Sequence, residues 1–156
     1  MKKVYLLFPA FLLLTAISRA QPYASWTDTS LTLNNGLVER TIQLPFVNNR
    51  HFVTTVYKPV EGDFNYFQPV NTDFQFEADH LVYSGRSKWL LKKVAHYTDP
   101  AQGDGAAVTL ISNDKNIELT IQFLLYPHLP LIRKSLAIKN ISSKTMMIES
   151  VDIEKF

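Results

Sequence analysis

The sequence predicts an all-β, antiparallel β-sandwich behind a short apolar leader, and three observations carry that prediction. From Ser30 onward the chain is a series of short β-branched and aromatic runs separated by turn residues. Between Ile117 and Tyr126 the residues Ile117, Leu119, Ile121, Phe123 and Leu125 share one parity, while Glu118, Thr120 and Gln122 hold the other. That two-residue period belongs to a strand with one buried and one wet face, and no stretch of useful length carries the helical period.

The leader has the three parts of a secretory signal: Lys2 and Lys3, an apolar run from Val4 to Ile17, and small residues at Ser18 and Ala20. Cleavage is expected between Ala20 and Gln21. The apolar run contains Pro9 and falls short of the roughly 20 residues a spanning helix needs, so no stable membrane anchor is expected. The resulting division is residues 1–20 signal peptide, 21–29 lead-in and 30–156 β-sandwich, with export to the periplasm or the extracellular space.

Each strand has its own signal. Leu31 to Asn34 and Leu37 to Leu44 flank Asn35-Gly36, which suits the positive φ angles of a tight hairpin. Phe52 to Tyr57 follows, then Phe74 to Glu77 facing Leu81 to Ser84 across Ala78-Asp79-His80, and then Lys88 to Tyr97. Gln102-Gly103-Asp104-Gly105 reads as a loop. Ala107 to Ser112 and Ile117 to Tyr126 flank the polar turn Asn113-Asp114-Lys115-Asn116. Pro127 and Pro130 bracket a sharp connection, since proline lacks the N–H a ladder needs, and pairing resumes from Ile132. Lys134 shares the parity of Ile132, Leu136 and Ile138, which reads as a bulge or an edge position. Thr145 to Ile153 is expected to pair back across Ser142-Ser143. Because the sequence stops directly after that strand, the chain reads as the opening module of something longer.

Composition limits the function. The leader holds Lys2, Lys3 and Arg19, so of the 16 basic residues 13 remain in the mature chain against 14 acidic ones. A net charge this close to zero gives no reason to expect nucleic acid or an anionic membrane as partner. With no cysteine there is no disulfide framework, thiolate metal site or cysteine nucleophile.

The sequence offers little catalytic chemistry. Asp73, Glu77 and Asp79 share one parity opposite Phe74 and Phe76, the pattern of a solvated strand face. His51, His80, His96 and His128 are scattered, with no partner histidine at ligand spacing, so no metal site and no cofactor is expected. Asp99 to Gly105 has calcium-friendly composition without the oxygen spacing of a calcium loop. No nucleophile elbow or phosphate-binding glycine loop occurs. Tyr57, Phe64, Tyr66, Phe67, Tyr83 and Trp89 concentrate in the first half, chiefly as core, with a sugar platform as the alternative.

Three segments carry a family resemblance: Leu33-Asn34-Asn35-Gly36-Leu37-Val38-Glu39-Arg40-Thr41, Tyr83-Ser84-Gly85-Arg86-Ser87-Lys88-Trp89, and Tyr126-Pro127-His128-Leu129-Pro130-Leu131-Ile132-Arg133-Lys134. Through them the chain resembles the N-terminal β-sandwich of secreted α-galactosidase-like glycoside hydrolases of family 36, over residues 26–154. The resemblance implies a supersandwich of the galactose-mutarotase-like type packed on a (β/α)8 barrel that holds the catalytic aspartates. This sequence contains no such barrel, which takes roughly 250 residues. The expectation is therefore a non-catalytic domain or fragment of an exported glycosidase, inactive alone, whose partners are that barrel and carbohydrate, with homo-oligomers left open. The resemblance implies that Asp63, in Gly62-Asp63-Phe64-Asn65, lines a sugar pocket, and Arg86 and Trp89 complete the carbohydrate-binding candidates. An exposed apolar patch is expected where the barrel docks. The alternative is an independent secreted carbohydrate-binding module.

Overall fold

Alternating apolar and polar residues become alternating buried and exposed ones. A computed structural model describes residues 23–62, 64–66 and 71–155, and over these the chain is all-β, with eleven strands and no helix. The expected signal peptide and its expected Ala20/Gln21 junction lie outside the described residues. In the first sheet, β1 (Ala24–Trp26), β2 (Ser30–Asn34), β3 (Val38–Gln43) and β4 (Val53–Pro59) follow chain order. The second sheet runs β10 (Ile132–Asn140), β9 (Ile117–Leu125), β8 (Gly103–Ser112), β7 (Trp89–Asp99). The third is small and crosses over in sequence, with β5 (Asp73–Ala78) between β11 (Ile148–Lys155) and β6 (Leu81–Ser84). Every pairing is antiparallel.

All three sheets feed one core. Leu31 and Ile42 from the first sheet, Phe74 and Phe76 from the third, and Leu110 and Phe123 from the second have no exposed surface and belong to one cluster. Burying side chains of this size contributes about 1.5–3 kcal/mol each. Trp89 lies in the same cluster, edge-on to Phe74 at 5.8 Å and tilted to Phe76 at 6.5 Å, and its indole N–H donates to the Ser84 carbonyl at 2.8 Å.

The turns depart from the sequence reading in an instructive way. Asn34 pairs with Glu39, so the β2–β3 connection is longer than a two-residue turn, and of its residues only Gly36 has positive φ. The Asn35 Oδ1 accepts from the backbone N–H groups of Leu37 and Val38 and closes the loop. The tight hairpin lies between β5 and β6, where Ala78 pairs with Leu81 and both intervening residues, Asp79 (φ 48°) and His80 (φ 63°), are left-handed.

Gly103 to Gly105 is strand rather than loop. A Cβ at Gly103 would lie 2.0 Å from the Leu125 carbonyl oxygen, and one at Gly105 2.0 Å from that of Phe123. These glycines admit close backbone approach between β8 and β9. The lead-in holds β1, which pairs with β2 through Ala24 and Leu33.

The last strand corrects the sequence reading most. β11 does not pair back on β10 across Ser142-Ser143; it crosses to β5, with Val151 opposite Phe76 and Asp152 opposite Gln75. The Asp79 N–H donates to the Met147 carbonyl, and the Met147 N–H to the Asp79 carboxylate, which guides the chain into the third sheet.

Candidate functional site

The inward row of β3 reads Val38, Arg40, Ile42, and the middle member brings a guanidinium into the core with 2% of its side chain exposed. A lone cation there costs several kcal/mol, so it must be matched. Its Nη2 pairs with Asp73 Oδ1 at 2.6 Å and with Glu154 Oε1 at 2.8 Å, Nη1 donates to Glu154 Oε2 at 3.1 Å, and Nε donates to Thr54 Oγ1 at 2.9 Å. Burial opposes the charged guanidinium, but hydrogen bonding and attraction from Glu154 and Asp73 outweigh it and raise its pKa.

Lys134 enters from β10. Its Nζ donates to the Asp73 carbonyl at 2.9 Å and lies 3.7 Å from Asp73 Oδ1 and 3.4 Å from Glu154 Oε2, with 4% of the side chain exposed. Burial lowers its pKa, and Asp73 partly offsets that. The expected bulge is absent, because β10 pairs with β9 without a register shift from Ile132 to Asn140. Lys134 is on an edge strand, yet its side chain is core. Asp73 is equally far from the solvated face expected of it: it has no exposed surface and takes hydrogen bonds from the Thr54 N–H and, at 2.8 Å, the Thr54 hydroxyl. Two cations and two carboxylates from β3, β5, β10 and β11 thus tie all three sheets together.

The motif segments converge on this network. Asn35 Nδ2 donates to the carbonyls of Tyr126 (2.7 Å) and Leu129 (2.8 Å), joining the β2–β3 turn to the proline-rich connection. Gly85 passes so close to the backbone that a Cβ would lie 2.2 Å from the Phe52 oxygen and 3.2 Å from the Asp73 Cβ. The residues that carry the family resemblance are in large part those that hold the scaffold.

Beside the network a cleft opens to solvent, with a volume of about 490 Å³, lined by Val38, Tyr57, Pro59, Tyr66 and Pro130. The Arg40 guanidinium lies 5.2 Å from the centre of the Tyr57 ring, whose other neighbours include Tyr66 at 5.5 Å. Phe64 stands edge-on to Tyr66 at 5.0 Å. Burial raises the Tyr57 pKa and Arg40 pulls against it, so the ring meets the cleft as a neutral phenol. Leu37, Val60, Phe64, Tyr66, Leu129 and Leu131, in or adjoining the lining segments, are exposed.

Asp63 and Phe67 lie outside the described residues. Arg86 is exposed and its Nε donates to the Asn71 carbonyl at 2.9 Å. Trp89 has no exposed surface, so it offers no face to a sugar and is corrected from platform to core. No family model, characterised protein or solved structure matches the chain. Of the aromatic group singled out in the sequence, Tyr57, Phe64 and Tyr66 line or adjoin the cleft, whereas Tyr83 and Trp89 pack with Phe74 and Phe76. Pro130 was missed as a cleft residue because parity says nothing about how a connection folds over a neighbouring sheet.

A second cluster lies on the third sheet, where His80 Nδ1 is 2.8 Å from Glu149 Oε1 and Glu77 adjoins both. A hydrogen bond that the protonated Glu77 carboxyl donates to the neighbouring Glu149 carboxylate raises the Glu77 pKa.

Proposed function

We propose that the chain is a non-catalytic β-sandwich module, of the supersandwich type, of an exported α-galactosidase-like glycoside hydrolase, and that its aromatic cleft meets a (β/α)8 catalytic barrel. The observation that carries this reading is the open cleft of Val38, Tyr57, Pro59, Tyr66 and Pro130 with exposed apolar residues around it. Exposed apolar residues beside an open cleft favour burial against a partner, and rim loops on a rigid scaffold are a common way to complete a neighbour's pocket. Asp73, a carboxylate with no exposed surface, and its neighbour Glu154 are committed to Arg40 and Lys134, which fits a module without its own acid and base. Export to the periplasm or beyond rests on the leader.

The test is to translate the DNA downstream of the Phe156 codon in all three frames. A frame encoding a barrel with two suitably placed aspartates is the expected result; an intergenic gap overturns the barrel reading. The alternative, an independent carbohydrate-binding module, is favoured by the Tyr57–Tyr66–Phe64 ring cluster, because flat aromatic faces hold the apolar faces of sugars. Calorimetric titration of the full chain with a galactoside panel separates the two. Saturable heat that Tyr66→Ala abolishes favours the binding module, and its absence across the panel counts against it.

A further inference from the structure

The sequence scatters its four histidines, but the third sheet brings one of them to two carboxylates. Glu77 is on β5, His80 is in the left-handed turn that follows, and Glu149 is on β11, which pairs with the other edge of β5. The β11–β5 register shifts between Ile148 and Ser150, so Glu149 falls outside the regular pairing. One ligand atom from each residue lies within 4.8 Å of the other two, and His80 Nδ1 is already 2.8 Å from Glu149.

Ligands roughly 2.0–2.1 Å from a tetrahedral zinc ion are about 3.3 Å from one another, close to the 2.8 Å between His80 and Glu149 and within the 4.8 Å that bounds all three atoms. The His80 side chain is 81% exposed, so closing on an ion needs only rotation of a solvated ring. One imidazole nitrogen with two carboxylate oxygens is a borderline donor set, suited to zinc rather than to calcium or magnesium, which take oxygen ligands. Without an ion Glu77 and Glu149 crowd two carboxyls together across neighbouring strands, with His80 as their basic neighbour. β11 gains little from burial, since Met147, Ile148, Val151 and Ile153 in and beside it are all more than 40% exposed.

We infer that Glu77, His80 and Glu149 bind a divalent transition-metal ion, zinc by preference, which fastens β11 to the β5–β6 hairpin. Three protein ligands leave a fourth position for water or for a group from a partner. The site lies on a different sheet from the aromatic cleft and stands whether or not the proposed function does.

The test is isothermal titration of the untagged full chain with zinc chloride, with thermal melts alongside. One ion per chain and a raised melting temperature are expected, with affinity falling at least tenfold in His80→Ala and in Glu149→Gln, and no response to calcium or magnesium. The ring nitrogens of His80, followed by NMR during the titration, give a readout that does not depend on the variants folding: Nδ1 shifts on coordination. No zinc heat, an unmoved Nδ1, or equal affinity in the parent and the His80→Ala/Glu149→Gln double variant overturns the site.

Discussion

Replacing Asp73 with asparagine keeps the shape of the side chain and removes its charge. In the folded chain its carboxylate meets Arg40 Nη2 at 2.6 Å, the Thr54 hydroxyl at 2.8 Å and the Lys134 ammonium at 3.7 Å, with no exposed surface. The substitution leaves two nearly buried cations to a single anion, Glu154, whose side chain is 27% exposed. Removing one partner of a buried ion pair costs about 3–5 kcal/mol. The amide NH₂ also has too few acceptors among the donors Thr54 and Arg40, which places the expected loss near the middle of that range, about 4 kcal/mol. A domain of this size has a total stability of about 5–15 kcal/mol, so the variant should be marginal. With an m-value of about 2 kcal/mol/M, the urea midpoint falls by roughly 2 M at unchanged m. The assay is urea unfolding of the full chain followed by circular dichroism. Adding Lys134→Met to Asp73→Asn removes the excess cation and should recover at least about 1 kcal/mol, a coupling expected of groups in one network. A loss below about 1 kcal/mol for Asp73→Asn refutes the argument, because it means the network is hydrated rather than sealed.

Gly85→Ala drives a Cβ to within 2.2 Å of the Phe52 oxygen and should cost about 3 kcal/mol, whereas Gly36→Ala, with φ of 84° and open space around it, should cost about 1–2; equal urea midpoints for the two variants would contradict this. Trp26→Phe leaves the buried Trp89 as sole tryptophan and should give blue-shifted emission resistant to acrylamide, against the partly exposed Trp26 left by Trp89→Phe. Burial and the Asp114 hydrogen bond push the Tyr83 pKa up to about 12, so a rapid pH-jump titration at 295 nm should show a late phase, shared with Tyr57, that loses one tyrosine's amplitude in Tyr83→Phe. Burial pushes the Asp114 carboxyl up, but hydrogen bonds from Ser112, Tyr83 and Asn116 outweigh it and lower its pKa. Its stabilisation is therefore complete above the unfolded value of about 3.9 and is lost as pH falls through the folded one. The stability gap between the parent and Asp114→Asn should close as pH drops in that window, and a gap independent of pH would refute the assignment.

The sequence by itself determined that the described chain is built of strands, where most of them lie and which way their apolar residues face, because a strand's two-residue period is written locally. Ile117 to Leu125 needed nothing else. Only the tertiary structure decided that β11 joins β5 instead of β10, since that choice rests on Asp79, Arg40 and Lys134, all more than ten residues away in sequence. For the same reason Asp73 and Lys134, which parity alone placed on a wet face and at a bulge or edge, proved to be partners in the core: each charge is tolerable there only because the fold supplies the other. The Glu77–His80–Glu149 cluster was likewise illegible, because two of its residues lie three apart and the third arrives on another strand. Periodicity states how a residue faces within its own strand; which strand lies opposite is settled by the sum of distant contacts.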